Sequence, residues 1–151
     1  MKVLLAIDGS EQSESALEIS ANYLKSATQI KIISVVELRY PIMSEPFAVS
    51  ADFYAEIEKN EKANAEENVK KAKETLQGLL ANDSIEVTTL VFLGNPSQQI
   101  VEEAESWNAD LIIVGSHGYG FWQRTMLGSV SDSVIHHAPC SVMVVREKQK
   151  T

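Results

Sequence analysis

Five short apolar runs, each separated from the next by a longer stretch of helical spacing, constrain this chain more than any other feature. They are Val3–Ile7, Ile30–Val36, Ile85–Leu93, Asp110–Val114 and Ser141–Val145. Near-continuous Val, Ile and Leu marks strands covered on both faces, as in a parallel sheet, where a sheet with one wet face would alternate apolar and polar residues. Between the runs, apolar residues recur at helical spacing. The first stripe is Ala16, Leu17, Ser20, Ala21, Tyr23, Leu24 and Ala27. A long charged helix predicted from near Asp52 to Leu80 carries Val69, Ala72, Leu76, Leu79 and Leu80. Ile100, Val101, Ala104 and Trp107 form the third stripe, and Val130, Val134, Ile135 and Ala138 the fourth, which stops before Pro139. Strands alternating with helices imply right-handed crossovers, hence an α/β fold with an open, mainly parallel sheet and helices on both faces.

The first and fourth runs are the most apolar and belong side by side in the middle of that sheet. Ligands of such sheets sit beyond the carboxyl ends of the strands, where strand order reverses. Asp8 and Gly115 end the two central strands and so should flank one crevice. Local signals agree with the boundaries. Asp8-Gly9-Ser10 turns into the first helix, with Ser10 or Asp8 as N-cap and Glu11 and Glu14 in the first turn. Asn95-Pro96 places an N-cap before a proline at the first helical position. From Arg39 to about Ala51 the pattern lapses around Pro41 and Pro46, which reads as a loop. Glu58–Lys62, Glu66–Lys70 and Glu67–Lys71 are favourable pairs on the long helix, each contributing only about 0.2–0.5 kcal/mol.

At 151 residues the chain is expected to be one domain, residues 1–146, followed by a polar tail, residues 147–151. A net charge of −8 argues against nucleic-acid and anionic-membrane binding, and requires that any bound polyphosphate be held by local donors. Cys140 is the one cysteine, which excludes an internal disulfide and suits a reducing cytoplasm. No signal peptide is read, since Val3–Ile7 is stopped by Asp8 and is too short to span a bilayer.

The stretch after the fourth run, from Gly115 to Ser131, is the candidate site. Glycines at 115, 118 and 128 serve as turn formers or allow backbone to approach a ligand closely. Ser129 and Ser131 open a helix whose N–H groups and dipole suit an anion; one of them is expected to cap it. Asp8 is a capping residue or a ligand contact, and His117 a solvent-facing loop histidine or a phosphate donor. Phe121 and Trp122 read as packing, partner contact or a lid. His136 and His137 are consecutive, point to different faces and lack the spacing of a zinc site. Cys140 reads as a structural thiol. The enzyme signatures that this topology can host are missing: no Gly-x-Gly-x-x-Gly follows the first strand, no Gly-Lys-Ser/Thr is present, and Asp8 has no adjacent acid.

Gly115, two residues, Gly118, nine residues, Gly128-Ser129 resembles the nucleotide-binding signature of the universal stress protein family, in its ATP-binding branch. The similarity extends over nearly the whole chain, through Val-Leu-Leu-Ala-Ile-Asp-Gly-Ser-Glu at the start, Gly94-Asn95-Pro96, and His137-Ala-Pro-Cys. The resemblance implies a Rossmann-like, adenine nucleotide alpha hydrolase-like sheet of order 3-2-1-4-5 that binds ATP and forms homodimers through the last strand. It implies that Asp8 and the backbone of Val35 hold the adenine and ribose, and that Gly115, Ser116, His117 and Gly118 line the ribose and phosphates. Gly128, Ser129, Val130 and Ser131 would cradle the phosphates, with Mg²⁺ or Mn²⁺ carried by phosphate oxygens and water. Two positions depart from the family pattern: Tyr119 where many relatives are basic, and Ser141 where many have Pro. Arg124 is a possible replacement charge or a solvated side chain. The implied function is a cytoplasmic, nucleotide-dependent stress-response regulator acting through its dimer or an unidentified partner protein. A nucleotide-free dimer or adaptor, or a slow ATPase, are the alternatives.

Overall fold

In this computed structural model, which describes residues 1–38, 50–82, 84–116 and 127–146, strand and helix alternate from the first residues onward. The strands are β1 (Lys2–Ile7), β2 (Gln29–Val36), β3 (Glu86–Leu93), β4 (Leu111–Gly115) and β5 (Ser141–Val145). The helices are α1 (Glu11–Ala21), α2 (Ala51–Leu80), α3 (Pro96–Trp107) and α4 (Ser129–His137). Every pairing is parallel and the order is β3-β2-β1-β4-β5, so the open five-stranded sheet expected from the apolar runs is the one observed. β1 and β4 are neighbours at its centre, with Leu5 level with Ile32 on β2 and Ile113 on β4.

β1 can be apolar throughout because both its faces are covered. On one side Leu5, Ile32 and Ile113 pack with Leu17 and Leu24 and with Val69 and Leu76 of α2. On the other Leu4, Ile33 and Ile112 pack with Ile100 and Ala104 of α3 and Val134 of α4. Val3, Leu4, Ile30, Ile32 and Ile33 are completely buried, each such side chain contributing about 1.5–3 kcal/mol. No helix among the described residues is long and apolar enough to cross a membrane.

Helix ends follow local chemistry. Ser10 caps α1, its Oγ accepting from Ser13 N at 3.2 Å. Asn95 caps α3, with Pro96 in the first turn as expected, and Asn108 closes that helix in the left-handed region. Ser50 caps α2; the loop expected before it falls largely on residues 39–49, outside the described residues, as does the tail 147–151.

Three residues expected inside lie outside. Tyr23 is 61% exposed because α1 ends at Ala21; Leu24 and Ala27 are still buried, carried in by successive turns. Leu79 lies at the edge of the α2 stripe and is exposed, whereas Ala65, not expected there, is buried. Ile135 sits about 100° round the helix from buried Val134 and faces out. Of the three ion pairs expected on α2, Glu67–Lys71 closes, at 3.5 Å. A pair not anticipated, Lys31–Glu103 at 2.6 Å, ties β2 to α3 with side chains only 14% and 15% exposed, and Lys31 also lies 4.4 Å from the Trp107 ring centroid.

Candidate functional site

The carboxyl ends of β1, β2 and β4 open into a cleft of about 640 Å³. Each strand brings its own chemistry to it. β1 delivers Asp8, whose Oδ1 accepts from Ser10 N at 3.0 Å and Ser10 Oγ at 2.6 Å. The same serine caps α1, so the carboxylate is held by the turn that starts the helix. β2 delivers buried Ser34 and half-buried Val35, and Glu37 follows its end. β4 delivers Gly115.

After Gly115 the chain returns to the site through a small brace. Ser116 N donates to Val145 O at 2.9 Å, and Gly128 N donates to Ser116 O at 2.8 Å. Ser131 Oγ lies 3.2 Å from Ser116 O and 3.0 Å from Gly128 O, both acceptors for its proton. This brace places the start of α4 at the mouth of β4. Gly128, in extended geometry, is the N-cap, and α4 begins with no side-chain hydrogen bond at its cap. The expectation that Ser129 or Ser131 caps the helix is therefore corrected: the chain turns helical one residue earlier than a Ser129 cap requires, and the Ser131 hydroxyl points back into the brace. Gly128 to Ser131 line the cleft, and the first turn, at the positive end of the helix dipole, has no side-chain hydrogen bond at its cap.

Of the residues singled out from the sequence, Asp8, Val35, Gly115, Gly128, Ser129, Val130 and Ser131 line this one cleft. Ser116 is 7% exposed and belongs to the brace rather than the lining. His117 and Gly118 lie outside the described residues, as do Tyr119, Phe121, Trp122 and Arg124. The apolar part of the lining is Ala6, Ile33, Ile100 and Val114, with Pro96 at the start of α3. The sequence reading missed the α2 wall, to which Glu61, Asn64 and Asn68 contribute. The available signal was a change of character along one helical face: apolar at Val69, Ala72 and Leu76, polar where the same face continues toward the helix start. Asn68 also packs beside Gly9, anchoring α2 to the turn that carries Asp8.

The described lining includes three carboxylates, Asp8, Glu37 and Glu61, and no Lys, Arg or His. Elsewhere, His136 Nδ1 and His137 Nδ1 lie 2.8 Å from Asp132 O and Ser133 O, and no group of three or more metal-ligating side chains occurs among the described residues. Burial raises the Cys140 thiol pKa above its ordinary value, helped by the nearby Asp110 charge, against a smaller opposing effect of a backbone hydrogen bond with Ile112. The thiol, not the thiolate, is the form present near neutrality.

The profile of the Universal stress protein family matches residues 1–146. The chain belongs to that family. A universal stress protein of Synechocystis is 31% identical over 96% of this chain and 97% of its own length. Among solved structures, the hypothetical protein MJ0577 superimposes with a TM-score of 0.80 at 27% identity, covering 99% of this universal stress protein and 97% of that chain. Two further structures share the fold at lower identity. One is a universal stress protein in complex with cAMP, with a TM-score of 0.65, 20% identity and coverage of 97% and 96%. The other is an Arabidopsis thaliana family member with AMP bound, with a TM-score of 0.62, 18% identity and coverage of 98% and 92%.

Proposed function

We propose that this universal stress protein binds an adenine nucleotide, ATP foremost, and acts in the cytoplasm as a stress-response regulator whose nucleotide state modulates its dimer or a partner protein. One observation carries the reading: an α4 start with no side-chain cap opens into a 640 Å³ cleft floored by the ends of the central strands. That volume lies within the range of small-molecule sites, about 300–1,000 Å³. Ala6, Pro96 and Val130, each only half-buried, supply an apolar slot for a purine, and the Val35 backbone would supply a polar edge beside it. The Ser129, Val130 and Ser131 amides supply donors for phosphate. Charge-assisted hydrogen bonds contribute about 1.5–3 kcal/mol each, so a few of them account for a micromolar affinity of about −8.2 kcal/mol. Relatives of the same fold with AMP and with cAMP support the ligand class.

A divalent cation suits this donor set as a companion of the phosphates, because no cluster of ligating side chains stands ready for it among the described residues. Mg²⁺ or Mn²⁺ bound by phosphate oxygens and water would offset the nucleotide's charge. The role proposed is binding rather than turnover; ADP release indistinguishable from a no-protein blank is the expected result.

Gly128 tests the reading. Its backbone is in an extended conformation open to any residue, so Gly128→Val should keep the fold while crowding the phosphate position. Calorimetry is expected to show micromolar Mg-ATP binding by the wild type and none by the variant, with matching circular dichroism. Undiminished affinity in a folded Gly128→Val protein counts against the site. A wild-type melting temperature that ignores millimolar nucleotide would leave a nucleotide-free dimer or adaptor as the better description.

A further inference from the structure

A second cavity, a groove of about 270 Å³, opens between α1 and α2. Ile7, Ser13 and Asn68 border both this groove and the larger cleft, so the two are neighbours, but the rest of their described linings differ. Half-buried Ala72 gives the groove apolar surface, with Ile7 and Leu17 buried at its base. Its charge is one-sided. Glu14 and Glu18, one turn apart on α1, and Glu74 on α2 are exposed carboxylates in the lining. None of the three has a side-chain hydrogen bond or an ion pair among the described residues. The one cation of the described lining, Lys71, pairs along its own helix with Glu67 at 3.5 Å. The groove therefore combines an apolar base with three uncompensated negative charges, divided between its two walls.

We propose that this groove is a second binding site, and that it takes a linear aliphatic polyamine. Ammonium groups of one molecule pair with carboxylates of both helices, and the methylenes that join them cover Ala72. A single exposed ion pair contributes little, so a simple monoamine gains too little to bind. Carrying the charges on one chain makes each further pairing intramolecular, and every methylene withdrawn from water adds to the gain. A hydrated metal ion brings charge but no apolar surface, and an anionic ligand is repelled by the same carboxylates. The inference does not depend on the nucleotide reading, and its test contains no nucleotide.

Calorimetry and thermal melts at fixed ionic strength would compare spermidine, butylamine and Mg²⁺ on the wild type and on variants. Glu18→Gln combined with Glu74→Gln removes one carboxylate from each wall. Ala72→Leu keeps every charge but fills the groove with a residue that suits a helix. Glu105→Gln removes an exposed charge from α3, which packs on the opposite face of the sheet. Circular dichroism would verify that each variant folds. The wild type is expected to bind one spermidine and to melt about 3 °C higher when saturated. The double substitution and Ala72→Leu should each weaken binding by about tenfold or more, whereas Glu105→Gln should leave it unchanged. Butylamine or Mg²⁺ matching spermidine, or Glu105→Gln acting as strongly as the double substitution, would reveal diffuse attraction to an acidic protein and overturn the inference. Undiminished binding by a folded Ala72→Leu protein overturns it as well, and so does a wild type that ignores millimolar spermidine.

Discussion

Gly9 joins Asp8 to Ser10 with φ at +77°, and a Cβ there would overlap the Asn68 carboxamide. Gly9→Ala therefore combines left-handed strain with a clash, at a cost of about 1–3 kcal/mol. Urea denaturation should show the loss, and nucleotide affinity should fall with it because the same turn aims Asp8. At this scale the sequence was legible as chemistry but not as roles. Asp8 and Ser10 are both short oxygen-bearing side chains within reach of the same amides, so either could cap; the fold gives the cap to Ser10 and sets Asp8 behind it as the acceptor of its N–H and O–H. Cys140 titrates in a direction that can be checked. Its folded pKa is raised, so the stability it contributes is present below the unfolded thiol pKa and declines as pH rises from there through the folded value. Alkylation by iodoacetamide near pH 8, below the ordinary thiol pKa of about 8.5, should be slower in the native protein than in urea.

Among the elements, helix periodicity gave faces more reliably than it gave ends. α3 matches expectation because Asn95, Pro96 and the Ile100–Ala104 stripe all act locally. α4 does not, because the brace from Ser116 to Gly128 and Ser131 determines where its first turn begins, and that brace links positions twelve to fifteen apart. In the sequence α2 reads as a long charged helix with an apolar stripe at Val69, Ala72, Leu76, Leu79 and Leu80. Its middle turns, through Glu61, Asn64 and Asn68, also form a wall of the cleft, a role that depends on where β1 and β2 stop as well as on the change from apolar to polar along that face. The Lys31–Glu103 pair belongs to this scale too, since it joins β2 to α3 across 72 positions. Glu103→Ala leaves a mostly buried ammonium uncompensated and should destabilise by about 3 kcal/mol, seen as a lower urea midpoint with unchanged slope. Glu103→Met, which restores apolar volume but not charge, should recover little, because Lys31 still lacks its partner.

For the whole molecule, the sheet order places the ends of β1 and β4 together and so makes the site composite. The same order leaves β5 at an edge with Val142, Met143 and Val144 only half-buried, which supports the proposed homodimer through that strand. Val142→Lys introduces the charge that blunts edge pairing; light scattering should report a monomer, with the circular dichroism of the wild type. A dimer that survives at the same dilution would place the interface elsewhere. The apolar runs and their spacing were enough to specify an α/β parallel sheet, its central pair and the crevice above it, because burial on two faces and right-handed crossovers leave few other arrangements. Residue order along the chain could not show which polar side chains meet across that crevice. Asp8, Glu37, Glu61 and the start of α4 come from four separate segments, and only packing the helices against the sheet brings them together to line one cleft.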